Sequence, residues 1–436
     1  MKFFGFRGGI HPPENKLQTE HLHTEVYKSP KKVYVPLLQH IGTPVQPLVA
    51  VGDKVLKGQK IGDATGGLNS PVHASVSGTV ISIEANECAL PGQNTAICIE
   101  NDGTDTWAEL EKITDWENAD RKVLLDMIRE KGIVGIGGAT FPTHVKLNPP
   151  EGTKIDTLLL NGAECEPYLN SDNRKMLEQP DHIIKGIQII KKVLGIENAY
   201  IGIEDNKPEA IEVMKNAADG TGIEIVPLKT KYPQGGEKQL IKAVLNRDVP
   251  SGQLPSAVGV VVQNTGTAAA VYEAIVEGKP LIEKIVTISG KAIKNPKNLI
   301  VPIGTRFSEI LDYCEVDREK MVKLVMGGPM MGAQQSSEDA TVIKGTSGLL
   351  ALTTEEVNPY TPKPCIRCSK CVTACPMRLE PLMYDRLSLS NRWDEMADYH
   401  LMDCIECGSC AYVCPANRPL TKAIKEGKAK LRAKKK

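Results

Sequence analysis

The sequence predicts a multidomain α/β protein, and three observations carry that reading. The chain has 436 residues, more than one ordinary hydrophobic core serves, so two to four domains are expected. Strand-like and helix-like runs alternate through its middle, the pattern of a parallel sheet with crossover helices. Near the end one cysteine pattern occurs twice, as Cys365, Cys368, Cys371, Cys375, Pro376 and as Cys404, Cys407, Cys410, Cys414, Pro415. The balanced charge, formally +0, argues against bulk binding of nucleic acid.

Taken in order, residues 1–112 form an opening segment and a β unit. Within 45–84, short β-branched runs are broken by Gly52-Asp53, Lys57-Gly58 and Ser77-Gly78. This stretch resembles the flattened barrel-sandwich of lipoyl domains. The lysine such domains present at a hairpin tip is missing around Pro71-Val72-His73, so a scaffold is expected and not a swinging arm. A polar linker at 101–105 follows.

Residues 113–279 are read as a Rossmann-like α/β domain. A helix is expected over 116–130, with Val123, Leu124, Met127 and Ile128 on one face and Gly132 as its stop. Strands are expected at 156–160, 199–203, 223–227 and 258–263, and helices at 183–194, 208–217, 237–245 and 267–276. A small α+β domain (280–345) contains a strand at 284–289, a turn at Asn295-Pro296 and a helix at 307–313. Residues 358–364 read as a proline-rich linker. They lead into a helical cysteine domain (358–421) that is mostly helical over 379–398. The basic tail, 422–436, would touch anionic lipid or an acidic partner, or be a frayed, solvated helix.

Twelve cysteines would suit a disulfide scaffold, but eight stand in metal-ligand spacing and no apolar leader opens the chain, so a reducing compartment is expected. No run of about 18 apolar residues occurs, so any membrane association is peripheral. Thiolates at i, i+3 and i+6 can converge on one face of a cubane iron–sulfur cluster. The spacing C-x2-C-x2-C-x3-C-P is that of bacterial two-cluster ferredoxins, whose fourth cysteine serves the other cluster. Cluster one is therefore assigned to Cys365, Cys368, Cys371 and Cys414, and cluster two to Cys404, Cys407, Cys410 and Cys375. Zinc is the alternative, and the doubling of the pattern weighs against it. Arg367, Lys370 and Arg378 would tune potential, attract an acidic redox partner, or simply be solvated. Cys88, Cys98 and Cys314 read as small buried apolar residues.

A second motif, Gly132 to Thr143, holds Gly135, Gly137 and Gly138. Such a run lets backbone N–H groups close on a phosphate or a flat ring, and Lys146 adds a charge. A tight turn explains the glycines equally well. Asn161, Glu164, Cys165 and Glu166 then follow the first strand of the sheet, Tyr232 to Glu237 the third, and Gln263, Asn264 and Thr265 the fourth. Ligands of α/β sheets bind beyond these carboxyl ends.

GIGGATFPTHVKL, NGAECEPYLNSD, YPQGGEKQL and VVQNTGTAAAVYEA resemble the flavin-binding segments of the NADH-oxidising flavoprotein subunit of complex I. The C subunits of the Rnf complex also share the opening GFRGGIHPPENK, the lipoyl-like unit and the doubled cysteine array. The resemblance implies noncovalent FMN held by Gly135, Gly137, Gly138, Lys146, Asn161, Glu164, Glu166, Tyr232, Gly235, Gln263, Asn264 and Thr265. Phe141, Glu166 and Glu237 would face the nicotinamide nucleotide. Ile136, Thr140, Ala163 and Gly236 depart from the complex I pattern, and Cys165 would pack under the flavin. The small domain would be SLBB-like (ubiquitin-like).

The resemblance also implies an oxidoreductase subunit of the translocase class, passing electrons between NADH, FMN, the first cluster, the second cluster and a partner, in that order. Its partners would be a ferredoxin-like B subunit and membrane subunits A, D, E and G, with ferredoxin reached indirectly. The assembly would couple electron flow to Na+ or H+ transport, with this subunit peripheral on the cytoplasmic side of the membrane. The alternatives are a flavin and iron–sulfur cobalamin reductase, the A subunit of the sodium-pumping quinone reductase, which lacks the cysteine arrays, and an iron–sulfur relay without its own flavin.

Overall fold

A computed structural model describes residues 5–27, 30–89, 94–357 and 361–434. The start of the predicted linker (358–360) and the last two residues of the tail lie outside them. The N-terminal β unit is a sandwich of two antiparallel sheets. One orders Lys32–Pro36, Asn94–Asn101, Gly78–Asn86 and Lys54–Val55, and the other orders Gln46–Pro47, Lys60–Asp63 and Val72–His73. Alternation along each strand sends Val33, Val35, Ile97 and Ile99 into a shared core with Ile61 and Val72. Val72–His73, where an exposed hairpin tip would be looked for, is a buried strand paired with Lys60–Asp63.

Four parallel strands form the central sheet, in the order Ile223–Leu228, Asn198–Glu204, Thr157–Asn161, Val260–Asn264. Leu158 and Leu160 face one apolar layer and Leu159 the other, because both faces are covered by helices. Helix Pro180–Leu194 opens on a proline and stops at Gly195, in the left-handed region. It packs so closely on helix Thr265–Tyr272 that a Cβ at Gly186 would stand 1.8 Å from the Ala268 carbonyl oxygen.

Two expected helices change their limits. The one expected over 116–130 begins only at Arg121, because 116–119 close turns onto themselves through Asn118 and Ala119. The one expected over 267–276 begins at Thr265, where the Asn264 side chain caps it by accepting from the Gly266 N–H, and ends as a π-turn over Glu273–Glu277.

The small domain's sheet reaches beyond 280–345. Its six strands are ordered Thr24–Val26, Lys297–Pro302, Glu283–Ser289, Gly348–Leu352, Lys323–Met326 and Ala333–Gln335. In the cysteine domain the helical stretch within 379–398 is Pro381–Leu389 followed by a short 3-10 turn at Asp394–Met396. The basic tail is the body of helix Leu420–Ala433, which buries Leu420, Ala423, Ile424, Gly427 and Lys428. That inner face packs into the cysteine domain's core, so up to Ala433 the tail is neither free nor frayed.

Candidate functional site

Two cavities of nearly equal size, about 370 and 390 Å3, lie inside the cysteine domain. One is lined by Cys365, Cys368, Cys371 and Cys414, the other by Cys375, Cys404, Cys407 and Cys410. Each thus takes three cysteines from one array and the fourth from the other, as crossed ligation requires. Among the described residues no three His, Cys, Asp or Glu side chains close on a point that could grip a single ion. Sulfurs ringing a cavity suit a cubane of several irons, whereas zinc would draw four ligands to one centre.

The backbone repeats with the ligands. Arg367 and Glu406, Ser369 and Gly408, and Arg378 and Asn417 pair across the two arrays, and all six hold a left-handed conformation. These turns aim amides at sulfur. Leu379 N–H donates to Cys375 Sγ at 3.3 Å, and its counterpart Arg418 N–H to Cys414 Sγ at 3.4 Å. Burial pushes the Cys404 thiol up to about 11 and raises those of Cys371, Cys375 and Cys410. Amides alone do not hold these thiolates, so the positive charge of bound iron fits the need.

The cavities differ in their neighbours. Cys365 and Cys368 are exposed, whereas Cys375, Cys407 and Cys410 are buried. The second cavity abuts the α/β domain. The Tyr232 hydroxyl donates to the Cys407 carbonyl at 2.8 Å and lies 3.2 Å from a Glu166 oxygen. Gly9 N–H donates to the Ala374 carbonyl at 2.8 Å, and Ile10 packs with Tyr232, Ala374 and Cys407. The second set of cysteines thus lies nearer the α/β domain, although the expected electron path meets the first cluster first. Chain order misleads because the second array folds back under the loops carrying Tyr232 and Glu166.

Beyond the sheet's carboxyl end, the glycine turn folds into a closed loop, with Gly135 N–H donating to Phe141 O at 2.8 Å. Its tip is open. A Cβ on Gly138 would meet nothing within 4 Å, and one on Gly137 only the Asn264 Nδ2, at 3.9 Å. Thr143, at the end of the same motif, and Gln263 and Thr265, at the end of the fourth strand and the start of its helix, carry buried polar atoms without partners among the described residues, Thr143 Oγ1, Gln263 Nε2 and Thr265 Oγ1. Such atoms are costly unless a ligand satisfies them. An open glycine cradle beside unpaired donors and hydroxyls fits a flavin mononucleotide.

The remaining predicted residues stand in various roles. Asn161 Nδ2 donates to Gly235 O at 3.0 Å, tying two of the predicted loops together. Lys146 is ion-paired with Glu237 at 2.5 Å, so a bound phosphate would compete with that carboxylate. Glu164 accepts from the Ser171 hydroxyl and the amides of Asp172 and Asn173, and so caps the helix Ser171–Glu178 instead of pointing at a ring. Glu166 accepts from the amides of Met330 and Met331; its carboxyl is raised by burial and pulled back by these bonds. Both glutamates are engaged with protein, which the motif alone does not reveal.

Three residues escape the sequence reading. Thr267 Oγ1, fully buried, accepts from Ile136 N–H at 2.8 Å and fixes the glycine turn to the fourth strand's helix. Asp172 accepts from Asn264 Nδ2 at 2.6 Å. Lys16, buried, donates to the carbonyls of Glu164, Glu166 and Leu169. A lysine in an irregular opening segment gives no periodic signal. Cys165, whose sulfur accepts from Gly235 N–H, has its thiol raised by burial, which makes it inert packing.

Residues 4–104 match the family described as RnfC Barrel sandwich hybrid domain, 128–273 the Nuo51 FMN-binding domain, and 364–418 the 4Fe-4S dicluster domain. The C subunit of the proton-translocating ferredoxin:NAD(+) oxidoreductase complex of Clostridium ljungdahlii is 49% identical over 98% of this chain and 94% of that protein. Its Na(+)-translocating counterpart in Acetobacterium woodii is 45% identical over 99% and 98%. The C subunit of the ion-translocating oxidoreductase complex of Rhodobacter capsulatus is 42% identical over 99% and 84%. A solved NAD+-reducing [NiFe]-hydrogenase matches 73% of this chain and 62% of that one at 16% identity, with a TM-score of 0.49.

Proposed function

The chain belongs to the RnfC family, the C subunits of ion-translocating ferredoxin:NAD+ oxidoreductases, and from that premise we propose that it is the electron-transfer subunit that meets the nicotinamide nucleotide. It carries FMN and two 4Fe–4S clusters, and it works as one part of a multi-subunit complex that drives an ion across a membrane. Among the described residues no helix is long and apolar enough to cross a membrane. A peripheral position on the cytoplasmic face, against a ferredoxin-like B subunit and membrane subunits A, D, E and G, completes the reading.

Bound FMN supplies the conversion between a two-electron hydride donor and one-electron clusters. The protein's part is positioning and water exclusion. Gly135, Gly137 and Gly138 leave room for the flavin. Gln263 and Thr265 would offer it their unpaired groups, and Asn161, Asn264 and Gly235 would complete its site. Lys146, now paired with Glu237, would hold the phosphate. Phe141 and Glu237 are then the side chains assigned to the nicotinamide. Tyr232 and Glu166 join this cleft to the Cys407 loop.

The observation that supports the proposal best is the Tyr232–Cys407 bond, which joins a loop assigned to the flavin to a loop assigned to the second cluster. From the α/β domain outward the sites run second set, then first set, then the exposed face at Cys365 and Cys368. The test is anaerobic addition of NADH to the purified subunit reconstituted with FMN and iron–sulfide. The flavin and cluster absorbance should both bleach. Retention of both cofactors without bleaching would sink the proposal, and a colourless protein that refuses FMN would favour a flavin-free relay.

A further inference from the structure

The glycine turn is gripped from outside its own domain. Lys344 and Gly345 lie on a tight turn of the small domain, closed by Ile343 N–H to Thr346 Oγ1 and Thr346 N–H to Ile343 O, both at 3.0 Å. Lys344 is 1% exposed. Its ammonium donates to Gly132 O, where the glycine turn begins, and to Pro71 O, just before the β unit's strand Val72–His73, each at 2.7 Å. Its amide donates to Gln39 Oε1 at 3.1 Å. No carboxylate among the described residues pairs with it, so burying this cation is costly and its two carbonyl bonds are the return.

Gly345 meets the other limb of the same turn. A Cβ there would stand 2.5 Å from Thr140 Cγ2. Thr140 is buried and holds φ +50°, a left-handed conformation that is an outlier for a β-branched residue. Strain of this kind persists only where the surroundings impose it. Lys344 fixes the turn's start and Gly345 leaves the space for Thr140 at its end, while Thr267 holds the middle through Ile136.

We propose that Lys344 and Gly345 are positioning residues for the flavin cradle, through which the small domain and the β unit set the shape of the glycine turn and hence its hold on FMN. This rests on the flavin reading of the cleft. It gives the β unit, which has no lysine around Pro71-Val72-His73, a task, since Pro71 is one anchor of the clamp.

FMN affinity, measured by quenching of flavin fluorescence on the full chain with its clusters in place, tests it. Gly345→Ala should weaken binding by about tenfold, the scale of one local strain term, with iron content and thermal midpoint unchanged. Thr140→Gly removes the methyl that Gly345→Ala strikes, so the double variant should recover the affinity of Thr140→Gly alone. Lys344→Met should weaken FMN and shift the bound flavin's visible spectrum while both clusters stay. Undiminished affinity in Gly345→Ala, or no recovery in the double variant, overturns the proposal. Failure of the wild-type chain to bind FMN overturns the flavin reading instead, and this proposal with it.

Discussion

The cavity ringed by Cys365, Cys368, Cys371 and Cys414 has two exposed cysteines in its wall, whereas none of the four around the other, Cys375, Cys404, Cys407 and Cys410, is exposed. Lys428 of the last helix donates to the Cys404 carbonyl and pairs with Glu406 at 2.7 Å over the second cavity. Tyr232 closes it from the α/β domain. Beside the first cavity stand the Arg418–Asp385 pair and the exposed Ile366. The local backbone is the same in both, down to the left-handed positions and the amides aimed at sulfur. The repeat therefore supplies ligation twice, and the surroundings alone make one site inward and the other outward.

Removing the crossed ligands separates the two sites most sharply. Cys375→Ser should remove the second cluster although Cys375 belongs to the first array, and NADH should then bleach the flavin but no iron. Cys414→Ser should remove the first cluster, leave one NADH-reducible cluster, and abolish delivery to an external acceptor. Iron content and low-temperature electron paramagnetic resonance read both. Loss of the first cluster in Cys375→Ser would break the crossed assignment.

Much of this was legible in the sequence, for reasons that differ by region. The cysteine spacing is local, so ligation could be read directly. The sheet's strands announce themselves through β-branched runs, and their carboxyl ends collect Asn161, Tyr232 and Asn264. What escaped depends on contacts between residues far apart in the chain. The second array docks beneath Tyr232, 175 residues away. Glu164 is spent on a helix N-terminus, and Lys344 reaches Gly132 across 212 positions. The tail's lysines suggested a solvated helix, yet Ile424 and Gly427 turn its inner face into core.

Exposure sets a second difference. An iron chelator or a limited pulse of air should bleach in two phases, with the first cluster lost before the second, since only the first has ligands at the surface. Resonance spectra taken between the phases should keep the signal that Cys375→Ser lacks. Loss of both clusters in one phase would show that the second cavity is no better shielded. A smaller effect is expected from Tyr232→Phe. It deletes one hydrogen bond to the Cys407 carbonyl, worth about 1 kcal/mol, so even if that bond formed in one redox state only the shift would be at most roughly 40 mV for one electron. Potentiometric titration should show the second cluster shifted within that bound and the first unmoved. A shift of both, or of neither, would deny Tyr232 its place beside the second site.

The outward site should differ in how it meets a partner. Arg367 and Lys370 stand exposed beside Cys368, and neither makes an ion pair with a described residue. Ile366, between Cys365 and Arg367 in the chain, is 68% exposed. An apolar point rimmed by cations suits a redox partner with an acidic face, and such rims act on encounter more than on the strength of the complex. Reversing both charges in Arg367→Glu/Lys370→Glu should slow electron delivery to an acidic ferredoxin by about tenfold at low salt. The gap should close as ionic strength rises and screening shortens to a few ångströms. NADH bleaching of the isolated subunit should be untouched, because that path ends inside. Equal rates at low salt would place the docking face elsewhere, while slower internal bleaching would mean that the two sites are not separable as their surroundings indicate.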